Sequence, residues 1–202
     1  MIRLKRGGKK IQISYSDEWF DEEARQNTPI RIRRFLNDWI SGKEMNFNFT
    51  MFDNPSYDEL VVLKNIEFYS LCEHHLLPFY GYAHIGYLPS KKICGISKLS
   101  RVVDFYAHKP QLQEKLTNNV ADFLFKNLEP LWLIVVIDAI HLCMRMRGIR
   151  KQNSVMLTSA VRGMRTAGGL KEEFFSLINM KGGSDEGVNS RQQRTVRDAE
   201  TM

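Results

Sequence analysis

Three cysteines and five histidines carry the chemistry this sequence can offer, and all eight fall between positions 72 and 143. The cysteines are Cys72, Cys94 and Cys143; the histidines are His74, His75, His84, His108 and His141. Two clusters have the spacing of metal ligands: Cys-Glu-His-His at 72–75 and His-Leu-Cys at 141–143. Thiolate and imidazole are the side chains that zinc prefers. Cys72 and His75 let one loop grip an ion from two sides, and Cys143 completes a Cys-His-Cys set. A structural zinc site is closed by four protein ligands, whereas a catalytic one keeps a position open for water. Cys94 is the spare thiol; in KKICGIS, just before a helix, it reads as a small buried hydrophobe.

A strand reading of residues 131–147 sharpens the expectation, because side chains alternate faces with period two. Ile140, Leu142, Met144 and Met146 then form an apolar face, and His141, Cys143, Arg145 and Arg147 a polar one. Two arginines in that row suit plain solvent exposure; a thiol and an imidazole beside them suit it less well. The stretch GISKLSR at 95–101 places a small loop at a helix start, where free N–H groups and the helix dipole favour an anion. Lys98 and Arg101 oppose the dipole there, which an anion would compensate. Ser97 as an N-cap beside two solvated charges is the plainer reading. With Arg147 nearby, a polyphosphate fits the set. Gln113 and Glu114 open the next helix. A carboxylate there is favourable for the dipole alone, and it also matches the adjacent N–H donors of a guanine edge; both readings stand. His84, alternating with aromatics in a strand, reads as structural, and His108 as a cation at a helix C-terminus.

These residues need elements to position them. Thr28-Pro29 reads as an N-cap followed by proline at the first helical position. Ile32, Phe35, Leu36, Trp39 and Ile40 then share one stripe as far as Gly42, with Arg31, Arg34 and Asp38 on the other side. Residues 59–71 and 79–88 are β-branched and aromatic and read as strands. Ser97 starts a helix to about His108, and Pro110 starts another with Leu112, Leu116, Val120, Phe123 and Leu124 on one face. Residues 131–147 and 154–161 read as strands, and 171–179 as a short last helix. The expected fold is α+β: a four-stranded antiparallel sheet with two helices on one face and an N-terminal helix. Open sheet edges need cover, which points to an oligomer.

Bulk properties narrow the class. The chain has 202 residues, 43% hydrophobic and 26% charged, as expected of a globular protein with a real core. No apolar run approaches the ~20 residues that span a bilayer. The basic start MIRLKRGGKK lacks the apolar segment of a secretory signal. Cysteines that serve as ligands must stay reduced, so the expected location is cytoplasmic. The net charge of +6 suits an anionic partner or reflects two basic tails. No Lys/Arg patch interleaves with aromatics, so neither nucleic acid nor membrane is an expected partner. Residues 1–16 read as a loose arm or first strand. The tail from about Met180 is polar and Gly-rich, and is expected to be disordered.

Four motifs, in order, resemble one family. FYSLCEHHLLPFYGYAHIGYLP, GISKLSRVVDFYAHKPQLQEKLT, HLCMRMRGIRKQNSVMLTSAVRG and TPIRIRRFL are similar to the zinc-dependent GTP cyclohydrolase I family, from about Thr28 to about Ile178. The resemblance implies a catalytic domain at 28–179; the arm at 1–27, unlike the family's usual helical N-terminus, and the polar tail at 180–202, longer than the family leads one to expect, depart from it. It implies the tunnelling fold, in which sheets from several subunits close into barrels, and a homodecamer of two pentamers with sites at subunit interfaces. It implies conversion of GTP and water to 7,8-dihydroneopterin triphosphate and formate, for folate, biopterin or deazaguanine synthesis. In the family's motifs the Zn2+ ligands fall on Cys72, His75 and Cys143. The catalytic residues fall on His74 and His141, with Ser97 a further candidate for proton transfer. The triphosphate contacts fall on Ser97, Lys98, Arg101, Arg147, Arg31 and Arg34, and the guanine contacts on Glu114 and Gln113.

Three alternatives are separated by their residues. A deazaguanine nitrile reductase uses a nucleophilic Cys without zinc, whereas Cys72, His75 and Cys143 are all present. A pterin synthase uses three histidines, a set absent here. A non-catalytic zinc-stabilised or nucleotide-binding scaffold does not require His74 and His141 beside the ligands.

Overall fold

The computed structural model describes residues 2–6, 9–13, 19–40, 48–163 and 169–180. The backbone pairs β1 (Ile2–Arg6) with β2 (Lys9–Ile13) as an antiparallel hairpin, the first-strand alternative for this arm. Helix α1 runs over Glu22–Ile40, six residues upstream of the expected Thr28 start. Its N-cap is Asp21, whose Oδ1 accepts from the Ala24 N–H at 2.7 Å. Pro29 therefore sits inside the helix. The expected stop at Gly42 and the tail beyond Met180 lie outside the described residues.

A short ribbon pairs β3 (Met51–Asp53) with β6 (Lys92–Cys94). Between them come β4 (Val61–Cys72) and β5 (Pro78–Leu88). Helix α2 (Ile96–Ala107) follows, then β7 (Pro110–Gln111) and α3 (Gln113–Leu128). The chain closes with β8 (Trp132–His141), the single turn α4 (Leu142–Arg145), β9 (Met156–Gly163) and α5 (Leu170–Asn179).

The main sheet has five strands in the order β7-β4-β5-β8-β9. Its central four are antiparallel, as expected. The fifth corrects the four-stranded expectation: Pro110 and Gln111 pair parallel with Leu71 and Cys72. Proline's fixed φ suits an extended residue as well as a helix start, so α3 begins at Gln113 rather than Pro110.

A second correction concerns β8. The strand ends at His141, and Cys143 lies in the helical turn of α4. The polar row His141-Cys143-Arg145-Arg147 therefore does not exist as a strand face. The cause lies in the neighbours: the last β5 partner is Phe79, opposite His141, and the last β9 partner is Met156, opposite Ala139. A strand without partners on either side has no ladder to extend, and the chain turns.

Odd-numbered residues of β8 (Leu133, Val135, Ile137, Ala139) pack with Leu99, Val103, Leu116, Val120 and Leu124 of α2 and α3 into the main core. Even-numbered Trp132, Ile134 and Val136 pack with Phe174 of α5 on the opposite face. Gly86 makes room for that helix, because a Cβ there would lie 2.5 Å from the Phe174 ring. Helix α5 covers only part of its face. Beyond it Tyr69, Tyr82, Val155 and Leu157 stay exposed, and Tyr69, Tyr80, Tyr82 and Val155 help to line a 290 Å³ cavity. No helix among the described residues is long and apolar enough to cross a membrane.

Candidate active site and metal centre

The site forms where β4, β8 and α3 end or begin. After Cys72 the chain makes a tight turn closed by two bonds: Cys72 N–H to the Leu77 carbonyl at 2.9 Å, and Leu76 N–H to the Cys72 carbonyl at 2.8 Å. Leu76 takes the left-handed conformation, φ 54°, to complete it. That fold-back carries His75 over Cys72, with Nδ1 3.7 Å from Sγ. The turn is tethered from outside by the Glu73 N–H on the Gln111 carbonyl at 3.2 Å and by Lys115 Nζ, 3.6 Å from Glu73 Oε2.

From the other side α4 delivers Cys143. Ligand atoms of Cys72, His75 and Cys143 all lie within 4.8 Å of one another. A tetrahedral zinc with bonds of about 2.0–2.3 Å places its ligand atoms roughly 3.5 Å apart, so the three donors fit such an ion after small closure. Burial pushes the Cys143 thiol above its ordinary range, and the adjacent Cys72 adds to this; Arg147 pulls the other way. A bound divalent cation would reverse that resistance of the Cys143 thiol to ionisation. Cys94 does not join them: it is buried beside Tyr87, whose hydroxyl accepts its backbone N–H, as the small-hydrophobe reading expects.

His141 stands beside this cluster as the last residue of β8. Its ring stacks on Phe79, centroids 4.7 Å apart and planes 1° from parallel. Its Nε2 lies 2.7 Å from Gln113 Oε1. Burial holds its pKa below the usual imidazole range, while the Glu114 charge acts the opposite way. His74 is exposed on the turn, its ring 6.1 Å from that of His75. Glu114 is exposed in the first turn of α3, and Arg147 is exposed just past α4.

Apart from Arg147, the anion residues lie elsewhere. Ser97, Lys98 and Arg101 occupy the start of α2, where Gly95 rather than Ser97 is the N-cap. The far end of α2 abuts the strand end that leads into the Cys72–Leu77 turn, since Ser70 Oγ donates to the Ala107 carbonyl at 2.7 Å. Ten residues of helix separate Ser97 from Ala107, about 15 Å at 1.5 Å per residue. On α1, Arg34 is exposed and Arg31 is bound by Glu23 of the same helix at 2.5 Å. Among the described residues, no hydrogen bond or ion pair joins these five to the cluster. Of the two remaining histidines, His84 receives the Asn65 N–H at 3.3 Å and lies 3.4 Å from Asp138, a structural arrangement. His108 caps α2 and stacks on Trp39 at 4.7 Å.

Sequence reasoning missed Phe79 and Gln111 as supports of the site. Nothing in a sequence pairs Phe79 with His141. Gln113 had a signal: it shares a helical stripe with the buried Leu116, Val120 and Leu124, an odd place for an amide.

A three-donor pocket with an imidazole fixed at its side is the equipment of a metal-assisted hydrolase. The chain belongs to the GTP cyclohydrolase I family, whose model matches residues 9–179 and so reaches upstream of Thr28. It is 53% identical over 160 residues to the GTP cyclohydrolase 1 of Wolinella succinogenes, covering 77% of this chain and 86% of that one. It is 47% identical over 177 residues to the GTP cyclohydrolase 1 of a Hydrogenobaculum species, covering 85% and 94%. Among solved structures it is similar to the archaeosine synthase QueF-Like in the apo form, with TM-score 0.44 and 18% identity over 54% of this chain and 98% of that one.

Proposed function

We propose that Cys72, His75 and Cys143 hold zinc and that GTP is opened beside them, giving 7,8-dihydroneopterin triphosphate and formate at the start of pterin and folate synthesis. The observation that carries this is the convergence of three donors with His141 held next to them. Bound there, zinc supplies the Lewis acidity that brings the pKa of water toward neutrality, which attack at the guanine C8 requires.

The chain's own residues do the rest. Glu114 accepts N–H groups of the guanine edge and orients the base. His141 gives a proton at N7 as negative charge develops there. His74 and Ser97 serve the proton transfers at the ribose during rearrangement and closure of the pterin ring. Lys98, Arg101 and Arg147, with Arg31 and Arg34, hold the triphosphate, which undergoes no chemistry and anchors the base.

The protein works as a homo-oligomer, a decamer of two pentamers. The ~15 Å of α2 between Ser97 and the metal turn supports a site that combines the metal cluster of one copy with the helix start of another. The exposed Tyr69, Tyr82 and Leu157 and the open sheet edges support association. Ligand thiols need a reducing compartment, which supports a cytoplasmic location. One experiment tests both parts: zinc-loaded protein, separated by sedimentation, is given GTP. Pterin fluorescence and formate are expected in the assembled fraction; neither product anywhere overturns the activity, and a fully active monomer overturns the shared site.

Arg147 separates binding from chemistry. Arg147→Ala is expected to raise KM for GTP roughly 10–100-fold, the value of one charge-assisted contact of ~1.5–3 kcal/mol, with kcat nearly unchanged. Unaltered KM in steady-state kinetics removes Arg147 from the triphosphate site.

A further inference from the structure

We infer that Gln113 is a positioning residue that fixes His141 with a proton on Nε2, so that the proton exchanged with substrate passes through Nδ1. The inference rests on His141 as the proton donor and adds the tautomer, the atom and the residue that sets both.

The geometry leaves Gln113 one orientation. Its amide faces the Ile137 carbonyl at 3.1 Å, the Met156 carbonyl at 3.0 Å and Thr158 Oγ1 at 3.1 Å. Carbonyl oxygens only accept, so the group facing them is the NH2; the flipped amide would set its oxygen against two others. Oε1 is thereby turned to His141 Nε2 at 2.7 Å. An amide oxygen also only accepts, so Nε2 carries a proton. Nδ1 is then the ring nitrogen left for exchange, and it must take up a proton before it can give one at N7.

The clamp is rigid. Gln113 is 1% exposed, and its own carbonyl accepts from Thr117 Oγ1 at 2.9 Å. Thr117 and Thr158 hydroxyls meet at 2.6 Å, tying α3 to β9 behind it. Phe79 stacks flat on the imidazole and bars rotation out of its plane. With its amide engaged on both ends, the Gln113 side chain is turned to His141 and β8–β9 rather than to a guanine. This sets it apart from its exposed neighbour Glu114, which is free to meet one.

The test has two arms. In the first, zinc-loaded wild-type protein labelled with 15N at histidine is studied by solid-state NMR, with His141→Ala identifying the signal. A ring protonated at Nε2 is expected; a ring whose Nε2 carries no proton overturns the inference, whatever the activity. In the second, Gln113→Met is expected to lower kcat about 10–100-fold, as loss of such supporting partners does. KM for GTP should stay within about threefold, with one zinc per subunit. In the His141→Ala background Gln113→Met should cost nothing further in kcat. A rise in KM at preserved kcat would restore Gln113 to the guanine site, and a further loss in the double variant would show a general structural role; either overturns positioning through His141. If Gln113→Met does not fold, the NMR arm decides. Full activity of His141→Ala would remove His141 as donor while leaving the tautomer result intact.

Discussion

Cys143→Ser is expected to strip zinc from the protein and lower kcat by more than about 100-fold, since even partners behind metal ligands typically cost 10–100-fold. Serine keeps the shape of the side chain but not a thiolate at neutral pH. The two donors left, Cys72 and His75, sit on one turn and grip the ion from one side only. The fold should survive. Cys143 lies on the short turn α4 at the edge of the core, whose packing comes from Phe79, Leu116, Val135 and their neighbours. Cooperative thermal unfolding close to that of the chelated wild type is therefore expected. Metal analysis showing one zinc per subunit in Cys143→Ser would remove Cys143 from the ligand set. Full activity in the metal-free variant would overturn metal-assisted opening of GTP.

The elements that hold this site were legible where periodicity is strong and local. The stripe Leu116, Val120, Leu124 is buried as the spacing predicts, and β5 spans the aromatic run at 78–88. The errors fall where a partner elsewhere in the chain decides. HLCMRM alternates well enough for a strand, but its neighbours end at Phe79 and Met156, so Cys143 reaches Cys72 through a helical turn. The three expected ligands thus converge, but by a route that strand alternation does not give. Thr28-Pro29 has the look of a helix start, yet Asp21 caps α1 seven residues earlier. The two residues of β7 are too few to leave a pattern, and their pairing with Leu71 and Cys72 steadies the turn that carries Cys72 and His75. Composition carried the donors; only the fold could show that Gln113 faces His141, or that α2 holds Ser97 far from the metal turn.

His141→Ala is expected to cut kcat by about 10²–10⁴-fold, the usual contribution of a positioned acid, with zinc and GTP binding largely retained. The two retained properties follow from the placement of the ring. His141 ends β8, whereas Cys143 turns away on α4, and the mutually close donors are Cys72, His75 and Cys143 without His141. The ring is instead held by Gln113 and Phe79 at the side of the pocket, where a base lying over the metal would meet it. The alanine variant also strands Gln113 Oε1 in a buried position, at a cost of about 1–3 kcal/mol in stability. His141→Asn, which keeps an N–H able to reach Gln113, separates that cost from catalysis: it should regain stability and stay slow. Zinc lost along with activity would make His141 a ligand. Activity undiminished in both variants would move the proton donor elsewhere, with His74, exposed on the metal turn, the next residue to replace.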